Sequence, residues 1–252
     1  MHRSVLVALP LLAAGCNGVN VFTLQDDIEL GQQLKSEIEA SPSEYPVIER
    51  ADAPEAYDAL DTIVNRVLDS GAIEHRDDLV WEFYLIDDDS VVNAFAAPGG
   101  YVWIYSGLIR ELDTEDSFAG VLAHEVGHAD GRHSTDQLTQ IYGVSLLLDI
   151  VLGTDRGTIS QVAESLVGLE FSRSHERDAD DRSVRTLCDS PYAADSVALF
   201  FENLEGGGFA FLSTHPSPEN RVDDVRNLAE QLDCDTSLSG LTDFDDLRNA
   251  LP

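Results

Sequence analysis

Apolar residues near the start of the chain recur at helical spacing. Ile28, Leu34 and Ile38 predict a helix over 26–40, ended by the two prolines of 41–46. Tyr57, Leu60, Ile63, Val64, Val67 and Leu68 fall on one side of a second predicted helix over 54–69, with Gly71 as its stop. The period then changes. Residues 79–86 alternate as a half-buried strand does, and 91–96 and 101–105 flank the turn signal Pro98-Gly99-Gly100, so a small antiparallel sheet is expected. An exposed edge of that sheet could pair with an extended peptide through main-chain bonds; an ordinary hairpin is the plainer reading. Helical spacing returns with Phe118, Val121, Leu122 and Val126, behind a start signal at Asp113 or Thr114, Glu115 and Asp116. Gly127 would let another element approach this helix closely. Further helices are predicted over 137–152, 158–188, 193–204 and 218–232, with a loosely ordered acidic tail over 233–252. The fold class is α+β, mostly helical.

With 252 residues, 43% hydrophobic and 8% aromatic, the chain can bury one sizeable core. Its opening, MHRSVLVALPLLAAGC, has Arg3 and an apolar run too short to span a bilayer, and reads as a secretory signal over 1–15. Ala13-Ala14-Gly15-Cys16 is similar to a bacterial lipobox, which makes Cys16 the expected lipidation site and 16–25 a tether; an ordinary cleaved signal is the alternative. The formal charge is −32, from 15 Lys and Arg against 47 Asp and Glu, with Lys35 the single lysine. Such a chain repels nucleic acid and anionic lipid. The acidity resembles that of proteins adapted to high salt, and solubility alone accounts for it equally well. Lipidation of Cys16 would leave Cys188 and Cys234, which in an exported chain form a disulfide or stay as two buried thiols. The apolar run within 137–152, broken by Asp149, is too short for a membrane span and suits core or active-site wall.

The chemistry concentrates in His124-Glu125-Val126-Gly127-His128. A helix turns about 100° per residue, so imidazoles at i and i+4 share a face and can share a metal ion. Neutral imidazoles hold Zn²⁺ without neutralising it, and an adjacent carboxylate can then act as base; Glu125 is that candidate. Two histidines require a third ligand. Glu176 is the best candidate, with Asp180 one turn on to accept the other ring N–H of a ligand histidine, although an acidic pair at this spacing is commonly a solvated face.

The segments Asn93-Ala94-Phe95-Ala96, Pro98-Gly99-Gly100-Tyr101, HEVGH, Glu176-Arg177-Asp178-Ala179-Asp180, and Thr214-His215-Pro216 with Arg221 occur in one order. In that combination the chain resembles the HtpX/BepA-like zinc metallopeptidases, the HExxH family that includes the CAAX prenyl proteases, and within it the short envelope lipoprotein members. The resemblance covers about 28–232. It implies a zincin-like domain over 26–232 binding one Zn²⁺ through His124, His128 and Glu176. Asn93, Gly99 and Gly100 are then expected at the substrate. His215 and Arg221 are expected at the active site, His215 as oxyanion donor or as a fourth ligand that holds the enzyme latent; the residues alone read His215 as a loop or capping histidine. His133 and His175 point off the ligand face and read as structural. The implied activity is an envelope endopeptidase acting on misfolded or misassembled proteins, lipid-anchored at the outer membrane and facing the periplasm. The alternative is a chaperone-like binding factor with latent hydrolysis.

Overall fold

The computed structural model describes residues 20–153, 157–203, 210–216 and 220–252. The expected signal segment, Cys16 and most of the tether lie outside these residues, as does the predicted break at Gly206 to Gly208.

Helix α1 (Leu24–Glu39) starts on a reciprocal cap in which Thr23 and Asp26 satisfy each other's backbone N–H. Helix α2 (Pro54–Leu68) starts on proline and buries Tyr57, Leu60, Ile63, Val64 and Val67. Three strands follow: β1 (Glu82–Ile86), β2 (Ala94–Ala97) and β3 (Tyr101–Tyr105). The sheet order is β1-β3-β2, with β2 antiparallel to β3. Strand β1, however, runs parallel to β3, in register Glu82 to Tyr101. The wholly antiparallel sheet expected from the pattern is therefore corrected to a mixed one. β3 is buried at all five positions, Trp103 completely, as suits the central strand that pairs on both edges. The β2–β3 turn needs Gly99 and Gly100, whose φ angles are +84° and +92°.

Alternation along the strands divides the interior in two. Phe83, Leu85, Ala94, Ala96, Val102 and Ile104 face a core built on α2 and the motif helix, while Ile86, Phe95, Tyr101, Trp103 and Tyr105 face α1.

A short α3 (Ser106–Glu111) leads into α4 (Glu115–Asp130), capped by Thr114 and buried along its whole length. Next come α5 (His133–Tyr142) and α6 (Val144–Val151), parted by Gly143 at φ +80°, where one helix was expected. The expected 158–188 helix is likewise two: α7 (Ile159–Val167) and α8 (Arg173–Cys188), the second begun by Ser172, whose hydroxyl accepts from His175 N–H. Then follow α9 (Ser196–Asn203), α10 (Ala210–Thr214), α11 (Arg221–Gln231) and α12 (Asp243–Ala250).

α12 corrects the loosely ordered tail. Phe244 and Leu247 are buried in the α2 and α4 core, Phe244 stacks on Phe118 at 4.9 Å, and Arg66 bridges Glu115 and Asp243. Cys188 and Cys234 are joined in a disulfide linking the end of α8 to the chain just after α11. Among the described residues, no helix is long and apolar enough to cross a membrane.

Candidate metal centre

Helices α4 and α8 meet through glycine. A Cβ on Gly127 would lie 2.9 Å from the Ala179 carbonyl oxygen, so its absence lets the two backbones close together. This brings the α4 histidines onto the α8 carboxylate. His124 Nε2 and His128 Nε2 are 3.0 Å apart; Glu176 reaches them at 3.5 and 3.3 Å. His215, directly after α10, completes the group, with Nδ1 3.3 Å from His124 Nε2 and 3.1 Å from Glu176 Oε1. One ligand atom from each of His124, His128, Glu176 and His215 lies within 4.8 Å of the others, and all four residues are fully buried.

Glu125 stands beside them, with Oε1 3.4 Å from His215 Nε2. It is completely buried, yet neither carboxylate oxygen makes a hydrogen bond. Burial pushes its carboxyl above the ordinary value, against the pull of His215 and His124. Glu176 goes the other way. Burial would raise it, but the charge of His215 and hydrogen bonds from His124, His128 and His215 hold it well below the usual carboxylate range.

Behind the donors lies a second layer. Asp180 Oδ1 is 3.0 Å from His124 Nδ1, as the i, i+4 reading anticipated. Burial would lower the His124 imidazolium, but Asp180 and Glu176 outweigh it and its pKa rises to about 9. Arg221 grips Asp180 through Nε at 2.7 Å and Nη2 at 2.8 Å, and Nη2 also reaches Glu176 Oε2 at 2.9 Å. Phe201 lies under its guanidinium at 3.7 Å. Burial pushes His128 well below the ordinary histidine value, which keeps its ring neutral; Phe171 stacks on it at 4.0 Å.

His133 was read as structural, yet its Nδ1 lies 3.0 Å from His128 Nδ1 and its Nε2 lies 3.1 Å from Asp178. Sequence spacing missed this pair. The available signal was Gly131, where a Cβ would meet the His133 ring at 2.5 Å.

The segments expected at the substrate divide. Asn93 is buried beside α10, with Thr214 Oγ1 at 3.5 Å from its side-chain oxygen. Gly99 and Gly100 instead pack on Ile28 of α1 and on residues 79–81, and their carbonyls accept from Val80 and Glu82. The exposed sheet edge is also corrected. All four β2 residues are buried, Ser134 donates to the Ala96 carbonyl at 2.6 Å, and Phe211 N–H of α10 donates to the Val92 carbonyl at 3.1 Å.

Four convergent lone-pair donors, sealed from water around a carboxylate, fit a divalent cation of the kind bound by nitrogen and oxygen. The family model for peptidase family M48 matches residues 54–229, from the start of α2 to near the end of α11, and so spans the whole cluster. The chain belongs to peptidase family M48. It is 28% identical over 256 residues to the beta-barrel assembly-enhancing protease of Yersinia pestis, covering 91% of this chain and 52% of that protein. The corresponding protein of Escherichia coli is 29% identical, covering 73% of this chain and 42% of its own length. Similarity extends to the mitochondrial metalloendopeptidase OMA1 of Schizosaccharomyces pombe, 30% identical over 60% of this chain and 47% of that protein. This M48 chain thus spans about half the length, or less, of these relatives.

Proposed function

We propose that the chain is a zinc-dependent endopeptidase of the bacterial cell envelope. The observation that carries this reading is the convergence of His124, His128 and Glu176 beside the unpartnered, fully buried carboxylate of Glu125. Those three residues would hold the zinc, which supplies a Lewis acid that polarises a peptide carbonyl and acidifies water near neutral pH. Glu125 would take the proton from the attacking water and carry it to the leaving amine, its two oxygens being free of other hydrogen bonds. Asp180 accepts the Nδ1 proton of His124 and leaves Nε2 free as donor. Arg221 holds Asp180 and Glu176 in one orientation with a planar two-sided grip.

His215 is assigned as a fourth donor. Catalytic zinc sites keep three protein ligands, so a fourth marks a latent arrangement. The distances of His215 Nδ1 to His124 and Glu176 support this role over that of a donor aimed at substrate. The short α10 that carries His215 is tied to the chain entering β2 by the Phe211 N–H on the Val92 carbonyl. The substrates of this reading are envelope proteins, by analogy with the beta-barrel assembly-enhancing proteases named above, and misfolded or misassembled ones are the class it puts first. Lipid on Cys16 anchors the domain at the outer membrane on its periplasmic side, on the strength of the lipobox-like sequence.

Metal analysis and peptide hydrolysis by wild type and Glu125→Gln test the reading. Stoichiometric zinc in both, with hydrolysis in wild type alone, is expected. Wild type without zinc would falsify it; cellular function surviving Glu125→Gln would favour a binding role instead.

A further inference from the structure

The environment of His128 differs from that of His124. His124 is backed by a carboxylate; His128 is backed by another imidazole. Two ring nitrogens at 3.0 Å must share one proton, so one donates and the other accepts. His128 Nε2 faces Glu176 and His124, and a ligand nitrogen must keep its lone pair, so the proton of the neutral ring sits on Nδ1. His133 Nδ1 is then the acceptor, its own proton is on Nε2, and Asp178 Oδ2 at 3.1 Å receives it. Asp178 is in turn held by Arg182 Nε at 2.7 Å, and Arg182 Nη1 reaches Asp130 at 2.6 Å.

The backbone is shaped to place this ring. Arg132 takes a left-handed conformation, φ +58°, held by Asp27 at 2.6 Å and the Phe22 carbonyl at 2.6 Å. That turn folds His133 back under the end of α4, into the space that Gly131 leaves without a side chain. His175 stacks on the outer face at 4.6 Å and 14°.

We infer that Asp178 and His133 form a positioning relay that fixes His128 in its Nδ1–H tautomer and thereby sets the strength of metal binding. The inference rests on the metallopeptidase reading and adds residues to it. His133 touches neither substrate nor metal; it acts through His128. Outer partners of ligand histidines at other metal sites are worth about 10- to 100-fold in affinity.

The test is the apparent zinc Kd of the full-length chain, by competition with a chelator of known affinity. Asp178→Ala and His133→Leu should each weaken zinc by about 10- to 100-fold. His133→Gln, whose carbonyl can accept from His128, should recover part of the loss. Asp178 is half exposed, so its variant separates the relay from any folding defect of the buried His133 variants, and thermal unfolding monitors both. A long-range ¹H–¹⁵N spectrum of the zinc-loaded wild type should show His133 protonated at Nε2. Unchanged Kd in Asp178→Ala and His133→Leu, or protonation of His133 at Nδ1, overturns the relay alone. A wild-type chain that takes up no zinc overturns the peptidase reading and the relay with it.

Discussion

Three of the four donors and the fourth sit on very different supports. His124, His128 and Glu176 project from two 16-residue capped helices locked by a glycine contact, with Asp180, Arg221, His133 and Asp178 fixing their side chains from behind. His215 follows a five-residue helix and is placed by a stack on Phe211 at 4.2 Å and by its backbone bond to the Phe211 carbonyl. A site needing all four donors for one task would support them alike. The contrast supports the proposed division into a three-residue metal triad and a latent fourth donor, and substitutions can probe each side.

The largest expected effect is chemical. Glu125→Gln should retain zinc and lose at least about 10³-fold in peptide hydrolysis, measured as kcat/KM on an unfolded protein substrate. Next comes the anchored side. Arg221→Ala strips the guanidinium from buried Asp180 and Glu176, and should cost about 3–5 kcal/mol in denaturant unfolding of the zinc-free protein. If Arg221→Ala unfolds like wild type, the triad is not anchored as described. Opening the disulfide by Cys188→Ser should cost less, about 2–4 kcal/mol in the same assay, with zinc affinity unchanged. The smallest effect is expected at His215. His215→Ala should keep zinc within about tenfold of wild type, roughly 1.4 kcal/mol, and raise hydrolysis. A fall in rate of about 10²-fold or more would instead make His215 a transition-state donor and erase the contrast.

Legibility in the sequence followed the range of the interaction. His124 and His128 were readable because i, i+4 spacing on a helix fixes which side chains share a face, and Glu125 because it adjoins them. Glu176 and Asp180 have the same spacing but alone read as a solvated face, and family resemblance promoted Glu176 to third ligand. His215 and Arg221 were reached through family resemblance, since nothing local ties them to α4. The approach of His133 to His128 was not legible because five residues of ideal helix carry it off the ligand face, whereas Arg132 leaves helical geometry. The direction of β1 was invisible for another reason: alternation of burial is the same in parallel and antiparallel pairs. In the C-terminal segment, the acidic residues of α12 masked Phe244 and Leu247, two apolar positions at i, i+3 that suffice to dock a short helix.

The two links between α8 and α11 have a topological consequence. Arg221 ties the start of α11 to Asp180, and the disulfide ties the chain beyond α11 to the end of α8. The chain from 180 to 221, which carries α9, α10 and His215, is therefore a ring closed on a fixed frame. Under the latent role proposed for His215, a segment anchored at both ends would release and recapture that donor while His124, His128 and Glu176 keep their own supports.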